Sequence, residues 1–93
     1  MSNEITIVVP AYNAERVLPR CLESLLAQTK LPQIIIANDG SVDRTAEIAD
    51  AAAAQFPAVH VIHMSHGGVN VTRKKAAQAV ETPYFAFLDA DDR

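Results

Sequence analysis

The chain of 93 residues is long enough for one domain with a modest core. Its net charge of −3, with no basic stripe, excludes nucleic acid as the main partner. A single cysteine, Cys21, excludes an internal disulfide and suits a reducing compartment. No apolar run approaches the roughly 20 residues of a membrane span. The opening residues Met1-Ser2-Asn3-Glu4 lack a charged segment followed by an apolar one, so a signal peptide is not expected. Tryptophan is absent, which argues against a carbohydrate-binding module built on aromatic platforms.

The β-branched run Ile5 to Val9 predicts a strand buried on both faces, ended by Pro10. Val17, Leu18, Cys21, Leu22, Leu25 and Leu26 recur at helical spacing and form one apolar stripe. Pro19 then belongs in that helix's first turn. Residues 34–37 predict a second buried strand, broken by Asp39-Gly40-Ser41. Ser41 or Asp43 is placed to cap a second helix running to about Phe56, with Ile48, Ala49, Ala52 and Phe56 inward. Val59 to Ile62 predicts a short third strand flanked by histidines, and Gly67-Gly68 opens a third helix reaching about Val80. Tyr84 to Leu88, after Pro83, predicts the last strand. The order β-α-β-α-β-α-β implies right-handed crossovers and an α/β fold with a doubly wound, mostly parallel sheet.

In such a sheet all four strand ends lie along one edge, where ligands bind. They carry Pro10-Ala11-Tyr12-Asn13, Asn38-Asp39-Gly40-Ser41, His66-Gly67-Gly68 and Asp89-Ala90-Asp91-Asp92. The carboxylate of Asp39 can accept a base N–H or a ribose hydroxyl, or can hold local backbone amides; the residues alone leave both open. The glycine pair can bring amides to a phosphate, although the chain has neither a G-x-G-x-x-G nor a P-loop pattern. Of Arg73, Lys74 and Lys75, one is expected to point into a site. The terminal aspartates are hard oxygen donors that suit Mn²⁺ or Mg²⁺, or else an acidic turn. His60, His63 and His66 resemble a metal tract, but residues three apart in a strand face opposite ways. Surface positions are the expectation for them, and a core position for Cys21.

The segments Val8-Val9-Pro10-Ala11-Tyr12-Asn13-Ala14-Glu15, Leu22 to Thr29, Asn38-Asp39-Gly40-Ser41-Val42-Asp43-Arg44-Thr45 and Leu88-Asp89-Ala90-Asp91-Asp92 together resemble family 2 glycosyltransferases of the GT-A fold. The resemblance covers residues 5 to 92 and implies the N-terminal, Rossmann-like half of that fold. It implies an inverting transferase that uses a nucleotide-diphospho-sugar, often a UDP-sugar, and a glycan or lipid-linked acceptor. By this resemblance Pro10, Ala11 and Tyr12 line the base pocket, Glu15 lies beside the nucleoside, and Asp39 bonds the uracil. Arg73 matches an arginine near the nucleotide. Asp89-Ala90-Asp91 matches the DXD motif, with Asp89 toward ribose and Asp91, with Asp92, holding Mn²⁺ or Mg²⁺. The helix reads Thr72-Arg73-Lys74-Lys75-Ala76, with Lys74 and Ala76 where the family usually has Asn and Gly.

The whole chain is expected to form one nucleotide-sugar-binding subdomain that stops just after the DXD motif. The general base is expected beyond Arg93, which leaves the isolated segment inactive and prone to self-association. A cytoplasmic location is expected, with a peripheral place at the membrane face open. Two rival readings are a nucleotide-binding scaffold without metal-dependent transfer and a nucleotidyltransferase. The latter lacks support, because Tyr12-Asn13-Ala14-Glu15 offers neither a glycine-rich loop nor a basic residue.

Overall fold

The computed structural model describes residues 4–28 and 31–90. Four strands, β1 (Ile5–Ala11), β2 (Gln33–Asp39), β3 (Val59–Met64) and β4 (Tyr84–Phe87), alternate with helices α1 (Leu18–Leu26), α2 (Thr45–Gln55) and α3 (Val69–Gln78). All pair in parallel in the order β3-β2-β1-β4. This is the expected doubly wound α/β arrangement.

The two central strands run longer than the sequence predicts. β1 passes through Pro10 to Ala11, pairing Pro10 with Ala37 of β2. Proline is tolerated there for a specific reason. The Val8 carbonyl accepts the Leu88 N–H on the β4 side. Pro10, two residues on, presents the same edge where β4 ends at Phe87, so its missing N–H falls at the limit of the β1–β4 ladder. β2 runs through Asn38 and Asp39 because β3 continues beside it, pairing His63 with Asn38 and Met64 with Asp39.

Strand alternation divides the core into two layers. On one face Val9, Ile34, Ile36 and Val59 meet Leu18, Cys21, Leu22 and Leu25 of α1 and Ala49 and Ala52 of α2. Each fully buried Leu or Ile there contributes about 1.5–3 kcal/mol. On the other face Val8 and Ala37 meet Ala76 of α3. Pro19 sits in the first turn of α1, as its missing N–H requires. α2 ends at Gln55 because Phe56, which precedes Pro57, is held extended at φ −121°, ψ 115°. β4 forms one edge of the sheet, and its residues Tyr84, Phe85 and Phe87 are all exposed.

Candidate functional site

The loop after β1 and the turn after β2 are stitched together by side chain to backbone bonds. Asn13 adopts φ +47°, a left-handed conformation that asparagine tolerates better than most residues. Its amide donates to Ser41 Oγ at 2.9 Å, and its own Oδ1 accepts the Val42 N–H at 2.9 Å. The Ala14 amide donates to Oγ1 of the fully buried Thr45 at 2.8 Å. Asp43 accepts from the Thr45 amide and hydroxyl and from the Glu15 amide. Burial pushes the Asp43 carboxyl up, but these bonds outweigh it and leave the group below its ordinary value. Asp43 therefore supports the start of α2 two residues ahead of its first residue, while Arg44, the cap by backbone position, makes no side-chain cap bond. Ser41 serves the β1 loop rather than the helix.

Asp39 organises the third loop. Its side chain is only 6% exposed. Oδ1 accepts the Gly67 N–H at 2.9 Å, and Oδ2 accepts the Gly68 N–H at 3.1 Å and His66 Nδ1–H at 3.0 Å. Burial pushes this carboxyl up; the Gly67 and Gly68 amides and the neighbouring His66 imidazole overcome that and lower it. Asp39 thus holds backbone amides, as the local one of the two sequence readings has it, while also lining the cleft. The glycine amides that seemed available to a phosphate are the ones it holds. Gly40, at φ +67°, brings the loops together so tightly that an added Cβ would lie 2.5 Å from the His66 backbone nitrogen.

At the fourth strand end Arg73 of α3 reaches Asp89. Its Nη2 lies 3.1 and 3.2 Å from the two carboxylate oxygens, and both side chains are about one-third exposed. The guanidinium stands 5.5 Å from the Phe87 ring centre. Its Nε is buried without a hydrogen-bond partner among the described residues. Lys74 and Lys75 are exposed, so one cation of the three points inward, as expected.

These four strand ends enclose a cleft of about 370 Å³. Pro10, Ala11, Tyr12, Asp39 and Asp89 line it, together with Asn13, His66, Gly68 and Thr72. Arg73 borders it through Asp89. Glu15 is exposed and does not line it; its recorded bond is made by its amide. Asp91 and Asp92 lie outside the described residues. Among the described residues no group of three or more His, Cys, Asp or Glu is placed to hold a metal. His60 and His63 point to opposite faces of β3, with His60 bonded to Gln33 and His63 to Asn38 and Asp50.

His66 is about half exposed, as the sequence reading expected, but that reading gave its side chain no place in the cleft that it lines. The imidazole stacks on Tyr12, with centroids 4.2 Å apart and planes 24° apart. The one available signal was its place directly before the glycine pair, at a strand end. The buried hydroxyls of Thr45 and Thr72 also went unnoticed, because threonine at a helix start carries no distinctive pattern.

The chain matches the Glycosyl transferase family 2 model over residues 6–93. It is 39% identical over 92 residues to the uncharacterized glycosyltransferase YibD of Escherichia coli (strain K12), covering 98% of this chain and 27% of that protein. It is 42% identical over 93 residues to the teichoic acid poly(glycerol phosphate) polymerase of Staphylococcus epidermidis, covering 97% and 13% respectively. The crystal structure of S. aureus TarS 1-349 in complex with UDP-GlcNAc superposes with a TM-score of 0.86 at 25% identity, covering 95% of this chain and 26% of that one. The chain thus spans about a quarter or less of the length of these relatives.

Proposed function

The chain belongs to glycosyl transferase family 2, and from that membership we propose that it supplies the donor-binding part of an inverting transferase. The donor is a nucleotide-diphospho-sugar, and a UDP-sugar in particular. The full protein passes the sugar to a hydroxyl of a glycan or lipid-linked acceptor. The observation that carries this reading is the convergence of four strand ends on one cleft, with an aromatic side chain at one part and a cation–carboxylate pair at another. TarS, the likeness with UDP-GlcNAc bound, supports uridine as the nucleoside.

In this reading Pro10, Ala11, Tyr12 and Asp39 surround the base. Glu15 faces the nucleoside from outside the rim, next to Ala14. Arg73 meets the diphosphate and Asp89 the ribose. The Asp89 oxygens are hard donors of the kind that suits Mn²⁺ or Mg²⁺, and an ion there would take them over from the Arg73 guanidinium. Asp91 and Asp92 would hold the ion. A bound divalent cation would neutralise charge on the departing nucleoside diphosphate. The general base lies beyond Arg93, and residues 1–93 alone transfer no sugar.

Calorimetric titration of the full-length protein with UDP, with and without Mn²⁺, tests this. Metal-dependent binding that is lost in Asp91→Ala is the expected result. Metal-independent binding, unchanged in that variant, would favour a nucleotide-binding scaffold. No binding in any condition would overturn the reading.

A further inference from the structure

On the α2 face of the sheet, His63 of β3 lies beside Asn38 of β2, its partner in the strand register. Asn38 is 4% exposed, so its amide depends on partners inside the protein. Its Oδ1 accepts the Ser41 N–H at 3.2 Å, and its Nδ2 lies 3.0 Å from His63 Nδ1. A backbone N–H only donates, which assigns the Asn38 oxygen to Ser41 and turns the NH₂ toward the ring. Nδ1 is therefore the acceptor in that contact. The imidazole hydrogen sits on Nε2 and is donated to Asp50 of α2 at 2.9 Å. Both ring nitrogens are used, and the pattern is that of a neutral ring.

We propose that His63 is a positioning residue for the donor cleft, holding the turn after β2 in place only while its ring is neutral. This rests on the reading of the cleft as a nucleotide-sugar site, which His63 itself does not line. The path runs through three bonds. Asn38 holds the Ser41 amide, Ser41 Oγ accepts the Asn13 N–H at 2.9 Å, and Asn13 Oδ1 accepts the Val42 N–H at 2.9 Å. Asn13 directly follows Tyr12, and both line the cleft. The cleft wall at the end of β1 is thus tied to the orientation of one buried amide.

Protonation inverts the demand on that amide. A hydrogen on Nδ1 would face the Asn38 NH₂, donor against donor. Turning the amide over restores a bond to the ring, with Nδ1–H donating to Oδ1. A charged donor makes the stronger bond, so the ring takes the oxygen from Ser41. The NH₂ then faces the Ser41 N–H, and the turn loses its acceptor. Asp50, the charged group that α2 brings to the ring, keeps its bond to Nε2–H in either form and does not resist the change. From β2 the ring meets the uncharged Asn38. One turn earlier on α2, Glu47 is paired with Arg44 at 3.3 Å, and on β3 itself His60 bonds Gln33. Imidazole is the side chain that ordinarily changes charge between about pH 5 and 8. The Asp39 and Asp43 carboxylates, both held below their ordinary value, stay ionised across that range.

Calorimetry of the full-length protein with UDP in Mn²⁺, at the two ends of that range, tests this. Wild type is compared with His63→Leu, whose side chain does not titrate. The phosphate of UDP and the other histidines are common to both proteins, so their titration cancels. From the upper end to the lower, wild type is expected to lose about fivefold more affinity than the variant, the worth of one neutral hydrogen bond. An equal loss in the two proteins would overturn the proposal and leave the nucleotide site standing. Failure of wild type to bind UDP even at the upper end would overturn the site reading and the proposal with it. Nitrogen-15 NMR of wild type needs no variant. His63 should show Nε2–H and a bare Nδ1 at the upper end, and the Ser41 and Asn13 amide signals should move with the same midpoint as its imidazole. A hydrogen resident on Nδ1 at the upper end, or a Ser41 amide indifferent to that titration, counts against the proposal.

Discussion

Arg73 and Asp89 neutralise each other at the edge of the cleft, with Nη2 at 3.1 and 3.2 Å from the two carboxylate oxygens. Each is proposed to meet a part of the nucleotide, so each must exchange this partner for a ligand. Such a pair adds little to folding, because exposed ion pairs are worth about 0–1 kcal/mol. Its effect falls on binding. Arg73→Ala is expected to weaken UDP binding about tenfold, the worth of one charge-assisted hydrogen bond. Stability should move by less than about 1 kcal/mol. Asp89→Asn frees the guanidinium and should leave metal-free UDP affinity undiminished while removing part of the metal-dependent gain. Calorimetry with urea melts separates the two effects.

Gly40→Ala is expected to be among the more damaging single substitutions. Its φ of +67° disfavours any side chain, and the new Cβ would lie 2.5 Å from a backbone nitrogen that cannot swing aside. A loss of about 2 kcal/mol or more should appear as a lower urea midpoint. Gly68→Ala makes the informative comparison. That residue also has positive φ, at +92°, but nothing lies within 4 Å of its Cβ position. It should cost less, since only the backbone penalty remains.

Acid should loosen the loops around the cleft before it reaches the core. Asp39 and Asp43 are both held below the ordinary value of 3.8. Their stabilisation is therefore fully present above that value and is lost as pH falls from 3.8 through their folded-state values. Asp39→Asn should lower stability at neutral pH and flatten the acid limb of a plot of melting temperature against pH. An acid limb as steep as that of wild type would show that other carboxylates govern it.

Thr45→Val keeps the shape of a fully buried side chain and removes its oxygen. The Ala14 N–H then loses its acceptor inside the protein, and Asp43 loses a donor. A cost of about 1–3 kcal/mol is expected in urea unfolding. Thr45→Ser retains the hydroxyl and should recover most of that loss.

The segment 1–93 on its own is expected to self-associate. β4 is an edge strand with Phe85 and Phe87 exposed together on one face and Tyr84 exposed on the other, and an open edge with apolar side chains is a template for pairing. Light scattering over a concentration series should show mass rising with concentration. Phe85→Lys should suppress the rise, whereas a monodisperse segment at high concentration would remove the argument.

The order of elements was legible from pattern because β-branched runs and helical stripes alternate without ambiguity. The polar residues were harder to read. The sequence shows that Asp39 and the glycine pair sit at strand ends, but not that one binds the other across 28 and 29 residues of chain. Separation along the chain likewise hid the Arg73–Asp89 pair, 16 positions apart, and the stack of His66 on Tyr12, 54 positions apart. Pairings of this kind are set by strand register, which no local pattern encodes. Pro10 failed as a stop signal for a related reason: whether proline breaks a strand depends on how far its neighbour extends.

The strand order β3-β2-β1-β4 carries a consequence of its own. From β1 the chain steps outward through β2 to β3, with α1 and α2 on one face. It then crosses over by α3 on the other face and returns to the far side of β1 as β4. The connections leaving β1 and entering β4 therefore run on opposite faces of the sheet, which leaves an opening between the ends of these strands among the described residues. The opening belongs to the path of the chain rather than to any side chain. Substitutions at Tyr12, His66 or Asp89 can change what enters, but they leave the strand order that sets the opening untouched.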